Sequence, residues 1–330
     1  MLKTQLHSVT RKVFAAAAIS LFGMMSAPAM GNTYPQKPIT IVAPFPPGGA
    51  VDLLARVVGE HLSAELGQTV AVENKAGAGT VIGATYVARS RPDGYTLLLA
   101  TNTTMVTNRF LFKELSYEPD AFEPVGMLGQ VPMVLITSKK SEFDSFEAMI
   151  DLAKKRPGDL TMASVGMGTT SHLALENLKQ MGNVDVTHVP FNGIAQVLPA
   201  LVNGDVDGFF DTVSTGMKHV QSGHVNAVAL TSADRVKAYP ELKTIAEMGY
   251  PNFDMSIWFS LVAPAGTPDD VLKTLRDALR VVSTKESYLE KLSFSNIEPT
   301  DTDPQFLKDQ IAKEAQVIKV LVENSEIEQR

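Results

Sequence analysis

The chain has 330 residues, which at about 150 residues per domain suggests two domains. Its 45% apolar and 20% charged residues exclude a disordered chain, and a net charge of −7 with a pI near 5.4 argues against nucleic-acid binding. The absence of cysteine removes thiol nucleophiles, zinc–cysteine sites and disulfides together.

Lys3, Arg11 and Lys12 precede an apolar run of about 13 residues (13–25, VFAAAAISLFGMM), and Ala27-Pro28-Ala29 supplies small residues for cleavage. These features read as an export signal over 1–29, cleaved near Ala29. The apolar core is shorter than the ~20 residues a spanning helix needs. No later stretch approaches that length, so a soluble mature protein is expected. Losing three cations and no acid takes the net charge from −7 to −10. Export without cysteine points to a bacterial periplasm.

A strand over 39–45 (ITIVAPF) runs into Pro46-Pro47-Gly48-Gly49-Ala50 and a helix over 51–66. Leu54, Val57, Val58, Leu62 and Leu66 form one stripe on that helix, and Gly67 stops it. The prolines end the strand, and the glycines let backbone approach a ligand. The first helical turn then offers free amides to an anion. Asp52 in that turn reads as a complement to the dipole rather than a ligand contact.

A strand over 70–73 leads to Asn74-Lys75-Ala76-Gly77-Ala78-Gly79-Thr80 and a helix over 80–90. With Gly83 the pattern is G-x-G-x-x-x-G, one residue longer than the dinucleotide fingerprint, with Ile82 where that fingerprint needs Gly or Ala. A nucleotide site is therefore disfavoured. Tight turns without a ligand remain an alternative for either loop alone. Two such loops on consecutive β-α units lie side by side, and together they can clamp one anionic group, or one at each end of a short ligand.

Strands over 96–101 and 133–138 follow, then a helix over 146–156 and a strand over 160–165. Ser164 to His172 (SVGMGTTSH) is a third polar loop and opens a helix over 170–181. A strand over 186–191 ends at Phe191-Asn192-Gly193 before a helix over 194–202. The strand over 207–211 ends in Asp211, which either meets a ligand ammonium or hydroxyl or caps the next helix. Strands over 227–232 and 258–263 and helices over 269–282 and 304–322 complete the body. Near-continuous apolar strands alternating with helices imply an α/β fold with mostly parallel sheets covered on both faces. Loops at 126–132 and 249–254 interrupt the rhythm. Two crossings there give domains of 31–127 plus 255–330 and of 128–254, with a hinge and a cleft.

Catalysis fits poorly. His61, His172, His188, His219 and His224 are scattered, with no H-E-x-x-H pair. Neighbouring Ser171 and His172 on a helix point apart and cannot act as nucleophile and base. No G-x-S-x-G elbow or P-loop occurs. Asp205 and Asp207 read as surface residues. No catalytic residue, metal or cofactor is expected.

The stretches YPQKPITIVAPFPPGGAVDLLAR, VENKAGAGTVIGATYVARSRPDGYTLLLAT, SVGMGTTSHLALENL and THVPFNGIAQVLPALVNGDVDGFFD resemble the periplasmic receptors of the tripartite tricarboxylate transporter family, the Bug receptors. The resemblance implies a two-domain α/β fold of the periplasmic-binding-protein (Venus flytrap) type. It implies a small carboxylate ligand, delivery to membrane transporter subunits, and a monomer. The P-x-P-P-G-G-x-x-D loop maps onto Pro44 to Asp52, with Phe45 beside the ligand and the amides of Gly48, Gly49 and Ala50 holding one carboxylate. The N-x-x-G-A-G loop maps onto Asn74, Gly77, Ala78 and Gly79, followed by Thr80. Thr101, Asn102 and Thr103 come from the next strand end. Ser164, Gly168, Thr169, Thr170, Ser171 and His172, with Phe191, Asn192, Gly193 and Asp211, come from the second domain. Two departures bear on ligand identity: Ala50-Val51 replace a frequent Ser-Thr, and Thr80 replaces a frequent Gly. The competing readings are an exported α/β enzyme, hydrolase or oxidoreductase, and a ligand-sensing partner of a regulatory membrane protein.

Overall fold

The computed structural model describes residues 34–324; the expected export signal lies outside them. From Lys37 onward the chain forms one compact unit. Its strands are β1 (Ile39–Ala43), β2 (Val70–Asn74), β3 (Thr96–Thr101), β4 (Phe122–Ser138), β5 (Thr161–Ser164), β6 (Thr187–Pro190), β7 (Gly208–Thr212), β8 (Val225–Leu230) and β9 (Ser256–Pro264). The helices that matter here are α1 (Ala50–Leu66), α2 (Val81–Ala88), α3 (Asn108–Leu111), α4 (Phe146–Lys155), α5 (Thr170–Gly182), α6 (Ile194–Asn203) and α7 (Val213–Gln221). After β9 come α8 (Asp269–Ser283), α9 (Glu286–Phe294) and α10 (Pro304–Glu323).

Local chemistry sets most boundaries. Helix α1 buries Leu54, Ala55, Val58 and Leu62 on one face and stops at Gly67 in the left-handed conformation, φ 65°. Ser145 caps α4 by accepting a hydrogen bond from the Ala148 amide, and Lys154 and Lys155 close its last turn. Helix α6 likewise ends at left-handed Gly204. Asp303 caps α10, with Pro304 at its first position.

The strand order is β2-β1-β3-β9-β4-β7-β5-β6, with β8 also on β4. The pairs β1/β2, β1/β3, β5/β6 and β5/β7 are parallel. The pairs β3/β9, β4/β7, β4/β8 and β4/β9 are antiparallel. The sheet is therefore mixed rather than mostly parallel, because β4 and β9 run against the β-α units beside them.

The residues expected to form an interrupting loop at 126–132 lie inside β4. This 17-residue strand extends roughly 55 Å at ~3.3 Å per residue. Its first part pairs with β9 and its second with β7 and β8, and register shifts at Pro124/Gly126 and Met127/Gly129 bend it. Gly126 and Gly129 thus mark bulges, not a break, and Pro132 pairs in register with Ser256. Two apolar clusters flank this strand. One gathers Val42, Leu98, Met105, Trp258, Val262 and Ile318; the other gathers Met133, Leu135, Phe146, Leu175, Phe210 and Phe253. Met255 packs against both. Among the described residues no helix is long and apolar enough to cross a membrane.

Candidate functional site

Four helices begin at one cavity. Each follows a strand: β1 into α1, β5 into α5, β6 into α6 and β7 into α7. They are 17, 13, 10 and 9 residues long, enough for each to carry about half a positive charge at its start. Their first-turn amides have no acceptor within the helix. The residues before them, Gly49, Thr169, Gly193 and Thr212, offer no side-chain cap. The cavity measures about 110 Å³, several times the 10–15 Å³ that one water needs.

One wall is Phe45, Pro46, Pro47, Gly49, Ala50 and Val51, continued by Thr101 and Thr103. The facing wall is Thr169, Thr170 and Ser171 of α5, Asn192, Gly193, Ile194 and Ala195 at α6, and Asp211, Thr212 and Thr215 at α7. Val165, Phe209, Phe210, Ile257 and Phe259 make the remainder apolar. Such a site excludes water around a few placed polar groups. The walls also touch: the Thr170 hydroxyl donates to Asn102 Oδ1 at 3.0 Å, and a Cβ on Gly193 would stand 3.2 Å from Pro46.

Among the described residues lining the cavity, Asp211 alone has an ionisable side chain. Its Oδ1 accepts from the Thr212 amide and the Thr215 hydroxyl, each at 2.7 Å. Its Oδ2 is buried with no hydrogen-bond partner, as is Thr101 Oγ1. Burial pushes the Asp211 carboxyl up to about 7, against the pull of the Thr215 and Thr212 bonds.

A sequence profile of the tripartite tricarboxylate transporter family receptor matches residues 54–325. The chain belongs to this receptor family. BugT of Bordetella pertussis is 34% identical to it over 301 residues, 89% of this chain and 92% of BugT. The structure of R. palustris Rpa4515 with adipate matches at a TM-score of 0.84 and 31% identity, over 88% of this chain and 99% of that one. MatC from Rhodopseudomonas palustris with bound malate matches at 0.82 and 29%, over 88% and 100%. The α/β periplasmic-binding-protein architecture expected from the resemblance is the one this receptor adopts.

Of the positions assigned to the ligand, Phe45, Gly49, Ala50, Thr101, Thr103, Thr169, Thr170, Ser171, Asn192, Gly193 and Asp211 line the cavity. Gly48, Asn74 and the second glycine loop do not. The Gly48 amide donates to Asp52 Oδ2 at 3.0 Å, so a ligand would have to compete with a carboxylate for it. Asn74 donates to the Phe45 carbonyl and to Asp52 Oδ1, and Arg56 donates to both Asp52 oxygens. Burial works to raise the Asp52 pKa, but the Arg56, Gly48 and Asn74 bonds together hold the carboxyl below its usual range. Asp52 thus braces the first loop, in keeping with its expected part outside the ligand contacts.

The loop of Gly77, Ala78, Gly79 and Thr80 is not among the residues that line this cavity. Glycines in this loop and in α2 stand at close approaches. Gly83 lets α2 lie against Pro44, where a Cβ would come within 2.8 Å, and Gly79 faces the Met167 carbonyl. Asn108 donates to the Gly79 carbonyl and to Thr80 Oγ1, holding Thr80 in a left-handed turn. Asn102 is also consumed: it donates to Glu314 Oε1 and to the Ser256 carbonyl and accepts from Thr170.

Ser164 bonds both polar groups of the Gly166 backbone and meets His188. His172 accepts the Gly168 amide on Nδ1 and stacks on His188, ring centroids 4.0 Å apart. Ser171 bonds Val165 and Thr169, not His172. Ser164, His172 and His188 shape the α5 loop from behind the wall, on which Ser171 itself lies. Phe191 ties that loop to β6 through its amide and the Ser164 carbonyl. Asp207, expected on the surface, is half-buried and accepts from the Thr161 amide and hydroxyl.

Thr212, Thr215 and the apolar lining escaped the site expectation. Thr215 belongs to α7, whose short stretch VSTGMKHVQ carries two β-branched valines, a threonine and a glycine, all weak helix formers. The available signal was positional: a polar cluster directly after an apolar strand that ends in Asp.

Proposed function

We propose that this receptor is periplasmic, captures a small organic carboxylate between two lobes, and hands it to a tripartite transporter in the membrane. The lobes are 31–127 with 255–330, and 128–254. The convergence of four helix starts on one mostly apolar cavity without a cation carries the reading. Fixed peptide dipoles suit an anion there, and water is scarce. Adipate and malate, bound by the family neighbours, are dicarboxylates, and the cavity has helix starts on opposing walls for two anionic ends.

The magnitudes suffice. A hydrogen bond to a charged group nets about 1.5–3 kcal/mol, so four give about 6–12 kcal/mol before ordering costs. Micromolar affinity needs about 8 kcal/mol. The ligand would favour closure only by its difference in affinity between the open and closed states.

Titration calorimetry of the mature protein with four- to six-carbon diacids tests the reading. Micromolar binding without consumption of the acid supports a receptor. Turnover of a bound acid would favour an enzyme, and no binding across the series would remove the carboxylate.

A further inference from the structure

The cavity wall contains a feature that an anion site does not need. Among its lining residues the one charged group is itself a carboxylate, and half of it is already used. Asp211 Oδ1 sits at the start of α7 and is satisfied by the Thr212 amide and the Thr215 hydroxyl. The Thr212 amide just before α7 is thereby taken, while the first-turn amides of α7 are not. Oδ2 has no partner although Asp211 is only 6% exposed. The groups packed around it are uncharged: Val134 lies across β4, and Gly216 lies on α7 with its Cα side 3.4 Å from Oδ2 for a built Cβ. The protein therefore supplies no donor to this oxygen.

We propose that Asp211 selects the ligand: its Oδ2 accepts a hydrogen bond from a hydroxyl or ammonium on the carbon chain of the bound acid, so hydroxy- and amino-substituted acids are preferred over unsubstituted ones. This rests on the carboxylate reading above. An ionised carboxylate is an acceptor only. Against a plain methylene it stays buried and unpaired, which sites of this kind penalise heavily. Thr101 Oγ1, the other buried side-chain atom without a partner among the described lining residues, can donate to a ligand carboxylate and leave the substituent to Asp211.

The test compares succinate, malate and aspartate, and adipate with 2-aminoadipate, by titration calorimetry at pH 8. We expect wild-type protein to bind the best substituted acid at least about tenfold more tightly than its unsubstituted partner. Asp211→Asn should remove most of that ratio while still melting cooperatively, and Asp211→Ser serves if the first variant does not fold. Hydroxyl and ammonium are separated by whether malate or aspartate gains. Equal binding of substituted and plain acids to wild type overturns the inference and leaves the carboxylate reading intact. A ratio that survives in a folded variant overturns the role of Asp211. Failure of every acid to bind overturns both readings.

Discussion

Gly49 shows how a single position can separate binding from folding. It precedes α1 with φ −88°, and a Cβ there would meet nothing within 4 Å. Aspartate is a favoured residue at such a position. Gly49→Asp should therefore keep or slightly raise the melting temperature while abolishing diacid binding, since its carboxylate would take the amides meant for the ligand. A calorimetric titration beside a thermal melt checks both halves; retained affinity would remove α1 from the site. Asp52 makes the complementary case. Asp52→Ala should cost about 1–3 kcal/mol of stability, read by urea unfolding, because the Gly48 amide, Arg56 and Asn74 lose their common acceptor. Asp211 predicts a pH effect. Its carboxyl titrates at about 7 in the fold against a reference of 3.8, so the folded state holds the proton more tightly. That contribution is complete below about 4 and is lost as pH rises through about 7, at up to about 1.4 kcal/mol per unit. Unliganded wild type should lose stability relative to Asp211→Asn across that window, and parallel melting curves would contradict it.

At the scale of elements, what was legible followed from pattern. The strands other than the first half of β4, and the helices with a clear stripe, such as α1, α6 and α8, stand close to where the sequence pattern puts them. What was illegible lacked a stripe or depended on distant contacts. Thr103–Thr107 forms a π-helical turn whose threonines are buried but polar, a pattern that resembles a loop. The short helix α9 keeps only Tyr288 and Leu292 buried. The glycines of β4 look like a break, yet Gly126 admits the Thr302 carbonyl, which a Cβ would meet at 2.5 Å. Sequence alone cannot show that the chain returns 176 positions later to press on this strand. Gly126→Ala should cost about 1–3 kcal/mol or more, measured by urea denaturation. The candidate site was legible as loops that end strands and open helices. The Gly77–Thr80 loop lies outside the cavity lining; Gly79 faces the Met167 carbonyl, and Gly83 beyond it lets α2 approach Pro44.

Across the whole molecule a chain of polar contacts links the C-terminal helix to the cavity rim. Trp258 donates to Glu314, Asn102 donates to the same carboxylate, and Thr170 donates to Asn102. Burial pushes the Glu314 carboxyl up, although these donors pull the other way. Gln180 of α5 also donates to the Leu321 carbonyl of α10. These contacts join the segment 128–254 to the rest of the fold. Asn102→Ala should weaken diacid binding several-fold without removing any lining residue, with the loss mainly in the dissociation rate. Stopped-flow measurements would show it, and an unchanged rate would place closure elsewhere.

The grip on an anion proposed above is written in peptide groups rather than in side chains. Substitutions cannot easily erase it, and they can reshape the space around it freely. A lineage of such receptors could therefore change cargo through drift at a few flanking positions such as Thr101 and Asp211 while capture itself is inherited intact. Attraction between fixed dipoles and a desolvated anion should also persist in brackish or saline surroundings where a lysine-lined groove would fade.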